Sequence, residues 1–152
     1  MPRTTALAVI RAADRLLLSE VPDAVKNVLG YRPLGGTIEF GERGHQTVVR
    51  EIREEIGAEL VQVRYLGTLE NIFEYLGRPG HEIALVYTAD LRDPRVRDQD
   101  VIEAHDDAGG TFRCFWKPLD DFRRGVPLYP DGLLEMLTRS PSPRSVSRAG
   151  EP

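Results

Sequence analysis

The chain has 152 residues, of which 41% are hydrophobic and 29% charged, and its net charge is −4. These values are typical of one globular domain with its own core, and the negative balance argues against a nucleic-acid backbone as the main partner. One cysteine excludes an internal disulfide framework. No apolar run is long enough to cross a membrane, and no signal-peptide pattern begins the chain, so we expect a cytoplasmic protein.

The first third of the chain predicts short strands separated by turns, followed by the most helical stretch of the sequence. In chain order we expect a strand at 4–11, a turn at 12–14, a strand at 15–19, a loop at 21–31, a turn at 32–36, a strand at 37–40 and a helix at 44–56. On that helix the apolar residues fall within one arc, and Glu51, Glu54 and Glu55 fall within another. Gly57 is suited to a left-handed cap at the end of the helix.

The remainder predicts a hairpin, a polar loop and two short helices. In chain order we expect a β-rich stretch at 61–75, a turn at 77–80, a strand at 81–90, a polar loop at 92–110, a strand at 111–117, and helices at 119–124 and 131–139. Cys114 lies on the last strand and is interpreted as a core cysteine. Residues 140–152 are rich in Ser, Pro and Arg and are predicted to be a disordered tail that follows a domain at 1–139. The mixture of strands and helices indicates an α+β fold, or an α/β/α sandwich.

The glutamates of the predicted helix have two interpretations. Carboxylates at positions i, i+3 and i+4 repel one another and destabilise an isolated helix. The simpler interpretation is a solvated charged helix in which Arg50 and Arg53 offset that repulsion. The alternative is a site for a hard cation, because Mg²⁺ takes oxygen ligands and retains several waters beside substrate phosphates.

The residues before the helix favour the cation site. Gly36, Glu42, the run Arg50-Glu51-Ile52, the pair Glu54-Glu55 and Gly57 stand at fixed spacings. This stretch, from Gly36 to Ala58, resembles the Nudix box, G-x5-E-x7-R-E-U-x-E-E-x-G-U, in which U is a bulky aliphatic residue. Eight of the nine specified positions match, and the departure is Ala58, which is smaller than the usual aliphatic residue.

The resemblance implies a Nudix-type α/β/α sandwich with a mixed β-sheet and a loop-helix-loop metal site. It identifies Glu51, Glu54 and Glu55 as metal ligands and the Gly35 carbonyl as the backbone ligand, with Mg²⁺, or Mn²⁺, as the cofactor. Glu42 and Arg50 match residues that support the loop through a salt bridge. The implied reaction is attack by water on one phosphorus of a nucleoside-diphosphate derivative, and a homodimer is common in such proteins.

The general base is left open by the resemblance. A box glutamate (Glu54 or Glu55) is one candidate, and Glu82 and Glu103 from distal segments are two others. The simpler interpretations are an edge-strand charge for Glu82 and a solvated loop acid for Glu103. Arg32 precedes the glycine turn, where a cation would meet a phosphate, although it is equally well explained as a surface residue.

The aromatic residues of the predicted strands are interpreted mainly as core residues, with one of them at the wall of a nucleobase pocket as the alternative; they are Phe73, Tyr75, Tyr87, Phe112 and Trp116.

Two functions of different class follow. The first is a Nudix-type pyrophosphohydrolase that cuts the diphosphate linkage of a nucleoside-diphosphate derivative. The second is a catalytically silent nucleotide sensor with the same fold. The intact glutamates favour the hydrolase, and the sequence shows no DNA-binding motif or basic track that would indicate a nucleic-acid partner. The substrate is left open among nucleotide sugars, ADP-ribose, dinucleoside polyphosphates and nucleoside triphosphates.

Overall fold

A computed structural model describes residues 1–23 and 27–139 of the chain. The tail predicted at 140–152 lies outside the described residues. The elements are β1 (Arg3–Ala12), β2 (Arg15–Asp23), β3 (Val28–Thr37), α1 (Gly44–Ile56), β4 (Leu60–Tyr75), β5 (Arg78–Leu91), β6 (Val101–His105), β7 (Thr111–Pro118), α2 (Leu119–Arg123) and α3 (Leu133–Arg139). A 3-10 turn at Pro94–Asp98 precedes β6.

The described strands form one mixed sheet in the order β4-β5-β1-β3-β2-β7-β6. β1 runs parallel to β5, and the other pairs are antiparallel. Helix α1 buries Val48 and Ile52 in a core on one face, whereas α2 and α3 contribute Phe122 and Leu133 to a second core on the other face. The expectation of an α+β fold with helices on both faces of a mixed sheet is therefore confirmed.

Where the structure describes them, the expected loop at 21–31, turn at 32–36 and strand at 37–40 are wrong, and residues 24–26 lie outside the described residues. Residues 21–23 complete β2, and β3 extends through the Pro-Leu-Gly-Gly segment as far as Thr37. The reason is the position of Pro33, where β3 exchanges β2 for β1 as its partner. Since proline lacks an N–H group, it is tolerated where a strand changes partner. Residues 38–40 form the loop that leads into α1.

The expected polar loop at 92–110 is also wrong, because it contains the 3-10 turn and strand β6. Ile102 and Ala104 alternate with exposed residues, and they pack in the core beneath α1. β6 pairs with β7 along its whole length. Only two residues of this short strand are buried apolar ones, so its period-2 signal is weak in an acidic segment.

Two other expectations agree with the structure. Cys114 is fully buried, as predicted for a core cysteine. The expected hairpin forms from β4 and β5, but its turn is at Leu76 and Gly77, and residues 78–80 of the expected turn are the start of β5. Within the described residues, every helix is too short or too polar to cross a lipid bilayer.

Candidate metal and active site

Helix α1 carries the glutamates at the boundary between the core and a surface cavity. Its apolar side is held by Val48 and Ile52, both fully buried. The helix also packs against β3 and β6, so it is covered on more sides than a helix that packs on the sheet through one face. As a result Glu51 and Glu55 are buried, whereas the side chain of Glu54 is 47% exposed. The sequence had placed all three glutamates in one arc of the helix, with no distinction between them in burial.

The two glycines before the helix allow close backbone packing, because Gly36 lets β3 approach α1 and Gly35 lets β3 approach β1. A Cβ atom at Gly36 would overlap the Glu51 carboxylate, and one at Gly35 would lie 2.9 Å from the Cα of Leu7. Both glycines line a cavity of about 290 Å³ together with Glu51 and Glu55. At the other end of α1, Gly57 has a φ of 67°, and its N–H donates to the Arg53 carbonyl at 3.0 Å. This is the left-handed cap expected from the sequence.

Arg50 connects the loop before α1 to the helix. Its Nε and Nη2 donate to the two oxygens of Glu42 at 2.8 and 2.9 Å. Nη1 donates to Glu51 at 2.9 Å and to Glu54 at 3.3 Å, and Nη2 also reaches the Thr37 carbonyl at 3.2 Å. These hydrogen bonds from Arg50, with a further one from Thr47, lower the pKa of Glu42 to about 2. The geometry is the brace between Glu42 and Arg50 that the family resemblance implies.

Oxygens of Glu51, Glu54 and Asp107 lie within 4.8 Å of one another. Beside them, the buried Oε1 atom of Glu55 has no hydrogen-bond partner. A buried carboxylate oxygen without a donor is costly in an apolar environment, and a hard divalent cation is the partner that such a group of oxygens fits. The residues present therefore fit Mg²⁺ or Mn²⁺. Asp107 lies in the turn between β6 and β7, which reaches over the helix.

Burial raises the pKa of Glu55 to about 9, and the neighbouring Glu51 carboxylate adds to the rise. Since the folded pKa lies above the ordinary value of 4.5, the contribution of Glu55 to metal-free stability is complete below pH 4.5 and is lost as pH rises through 9. A bound cation favours the ionised form instead.

We therefore expect the melting temperature of the protein in excess chelator to fall between about pH 6 and about pH 9. Saturating Mg²⁺ is expected to raise the melting temperature more at the higher pH. Calorimetry in chelator and in Mg²⁺ measures both effects, and Glu55→Gln is expected to reduce the pH dependence of the Mg²⁺ increment. An increment that is independent of pH in the parent would contradict this role for Glu55.

Two of the predicted carboxylates lie on the sheet face opposite α1. On β6, Ile102 and Ala104 face α1, so Glu103 points away from it and is exposed. Glu82 stands on β5, an inner strand rather than the expected edge strand, and is 5% exposed. Val86, which lies four positions along β5 and therefore on the same face as Glu82, packs in the second core. The structure thus brings Asp107, and neither of these two, to the glutamates of α1.

A model of the NUDIX domain matches residues 1–135 of the chain. The chain belongs to the Nudix family. A Nudix hydrolase from Nitrosomonas europaea has a similar fold, with a TM-score of 0.62 and 19% identity over 91% of this chain and 87% of that one. The MutT Nudix hydrolase of Burkholderia pseudomallei gives a TM-score of 0.60 and 25% identity over 92% of this chain and 99% of that one.

Curated Nudix relatives match a shorter stretch. The NAD-capped RNA hydrolase NudC of Pseudomonas aeruginosa is 39% identical over 62 residues, which cover 41% of this chain and 22% of the relative. The NudC of Pseudomonas putida strain W619 is 34% identical over the same length and shares. The matched stretch thus spans about a fifth of these relatives.

The cavity residues that sequence reasoning missed include Asp107 and Arg3. Asp107 belongs to an Asp-Asp-Ala-Gly-Gly segment, a turn signal that could have identified a loop between two strands. Arg3 was overlooked because its position in the cavity depends on the pairing of β1 with β3 and β5, which the local sequence does not specify.

Proposed function

We propose that the protein is a divalent-cation-dependent hydrolase that cleaves the diphosphate linkage of a nucleoside-diphosphate derivative. The observation that supports this most directly is the group of Glu51, Glu54 and Asp107 oxygens within 4.8 Å, beside the unpartnered oxygen of Glu55. The adjoining cavity also contains Arg3 and Arg32, so cations and metal-binding carboxylates face the same space. This combination suits a polyanionic substrate.

The metal ligands proposed are Glu51, Glu54 and Glu55, with Asp107 added from the turn between β6 and β7. The Gly35 carbonyl remains the proposed backbone ligand, since Gly35 lines the same cavity. When bound, Mg²⁺ neutralises phosphate charge and lowers the pKa of a coordinated water.

Proton transfer, ligand orientation and phosphate binding are carried out by side chains of the protein. Glu54 and Asp107 are the exposed carboxylates of the group, so water reaches them, and either can accept the proton of the attacking water. Arg50 keeps Glu51 and Glu54 oriented through its hydrogen bonds. Arg3 and Arg32 bind oxygens of the phosphate group whose phosphorus is not attacked.

Hydrolysis is expected to require a divalent cation. The test is a panel of nucleotide sugars, ADP-ribose, dinucleoside polyphosphates and nucleoside triphosphates, incubated with Mg²⁺ or Mn²⁺ and analysed by mass spectrometry. Excess chelator is expected to stop turnover, and added Mg²⁺ to restore it. Full activity in excess chelator would rule out the metal role. Tight nucleotide binding with no hydrolysis of any compound would favour the sensor.

A further inference from the structure

The buried polar residues of the described chain fall into two groups. Thr47, Glu51 and Glu55 belong to α1 and to the candidate site. The second group lies on three adjacent strands on the other face of the sheet and consists of Thr5, Asn71 and Glu82. The Glu82 carboxylate accepts hydrogen bonds from Asn71 Nδ2 at 3.1 Å and from Thr5 Oγ1 at 3.4 Å. The hydrolytic chemistry proposed above leaves this second group without a role.

Two arginines connect this group to the candidate site. Arg3 stands opposite Glu82 in the parallel register of β1 and β5, and Arg32 Nη2 lies 3.9 Å from Glu82 Oε1. Arg3 Nη2 also donates to Thr37 Oγ1 at 3.0 Å. Both arginines line the 290 Å³ cavity of the glutamates and a second cavity of about 790 Å³. The two arginines therefore lie at the boundary shared by the two cavities, which we call the passage.

The second cavity has aromatic walls held in defined positions. Phe73 and Tyr129 line it, and each ring lies against a glycine, Gly80 and Gly30 respectively, where a Cβ atom would overlap the ring. Asn71, from the buried polar group, also lines the cavity. Its volume lies within the range of small-molecule sites. Aromatic faces that stack on a heterocycle, beside an amide that hydrogen-bonds to it, fit a nucleoside.

We propose that the larger cavity binds the nucleoside of the substrate, while the diphosphate crosses the passage between Arg3 and Arg32 towards the glutamates of α1. Glu82 is a positioning residue that holds Arg32 at the passage. This inference rests on the proposed function, because it assigns a binding direction to the same substrate class. It also separates the groups that recognise the organic moiety from those that bind and cleave the diphosphate.

Isothermal titration with nucleoside diphosphates and with inorganic pyrophosphate tests the assignment. In Mg²⁺, at least one of ADP, GDP, CDP and UDP is expected to bind tenfold or more tightly than pyrophosphate, because only the nucleotide occupies both cavities. Phe73→Leu is expected to lower the affinity for that nucleotide about tenfold, because stacking on the ring is lost. The affinity for pyrophosphate is expected to stay unchanged. Arg3→Ala and Arg32→Ala are each expected to lower the affinities for the nucleotide and for pyrophosphate about tenfold, because each removes a charged contact to phosphate.

Matched controls are available on exposed residues outside both cavities. Tyr65→Leu removes another exposed ring from β4, and Arg95→Ala removes a cation from the 3-10 turn. Both are expected to leave both affinities unchanged. Equal affinity for pyrophosphate and all four nucleotides, or an unchanged nucleotide affinity in Phe73→Leu, would overturn the assignment. A dimer that Phe73→Leu dissociates without any effect on nucleotide binding would assign the aromatic surface to a second copy of the chain instead.

The role of Glu82 requires a double-mutant cycle. Glu82→Gln keeps the size of the side chain but releases Arg32, so nucleotide affinity is expected to fall several-fold in the parent and KM to rise with kcat unchanged. In the Arg32→Ala background the same change is expected to have no further effect. An equal effect in both backgrounds, or a fall in kcat alone, would exclude a role through Arg32, and melting temperatures identify variants that fail to fold.

The outcomes also separate the two proposals. Nucleotide binding that follows the expected pattern without any hydrolysis would reject the hydrolase and keep the nucleoside cavity. Metal-dependent hydrolysis with an unchanged nucleotide affinity in Phe73→Leu would keep the hydrolase and reject the cavity assignment.

Discussion

Replacing Glu54 or Glu55 by Gln is expected to lower turnover of the best diphosphate substrate by roughly a hundredfold or more. Either change keeps the size of the side chain and removes one negative charge from the carboxylate group that includes Glu51 and Asp107. With less charge, the site binds a divalent cation more weakly and stabilises the developing phosphate charge less. Turnover at saturating Mg²⁺, and Mg²⁺ affinity by titration, measure the two effects.

The two variants are expected to differ in stability. Glu54 is half-exposed, so Glu54→Gln should leave the melting temperature almost unchanged. Glu55 is buried beside Glu51, so Glu55→Gln should raise the melting temperature of the chelated protein at high pH, where the parent carboxylate is ionised. Glu59→Gln, an exposed glutamate just after α1, is the control and should retain parent turnover. Parent-like turnover in both site variants would reject the catalytic assignment.

Arg50→Ala is expected to reduce activity and stability together. The change removes the hydrogen bonds to Glu42, Glu51 and Glu54 and leaves three carboxylates close together without their cation. Breaking a buried ion pair costs about 3–5 kcal/mol, and Arg50 is about a quarter exposed, so a smaller loss is expected here. A domain of this size should then melt about 5 °C lower, and turnover should fall at least tenfold because the proposed metal ligands lose their orientation.

A neighbouring arginine provides the control for this experiment. Arg53 lies one turn further along α1 and is 62% exposed, and its guanidinium lies 3.8 Å from the exposed Glu59. Arg53→Ala is expected to melt within about 1 °C of the parent and to retain its turnover, as exposed ion pairs contribute little. If Arg50→Ala melted like Arg53→Ala and kept its Mg²⁺ affinity, the brace would have no function.

The candidate site was predictable where its geometry is local. The helix, its left-handed cap at Gly57 and the brace between Glu42 and Arg50 depend on residues within one short segment. Helical periodicity and capping are determined by neighbours three or four positions away, so they can be derived from the sequence. The spacing of the box residues carried the family resemblance for the same reason.

The strands that complete the cavity were harder to predict from the sequence. β3 contains Pro33, Gly35 and Gly36, which individually indicate a turn, and its extended form depends on pairing with β2 and β1. β6 is a short acidic strand stabilised by β7. Strand formation depends on cross-strand neighbours and burial more than on intrinsic preference, and these neighbours are distant in the sequence.

By itself the sequence determined the α+β class and the helix that carries Glu51, Glu54 and Glu55, and the family resemblance implied the chemistry that is proposed for these carboxylates. Only the tertiary structure decided which of them are buried, brought Asp107 to them from a distant turn, and turned Glu82 and Glu103 to the other face of the sheet. The physical reason is that strand register selects the face on which each side chain lies. Register is fixed by long-range pairing, whereas the helix is fixed by residues one turn apart.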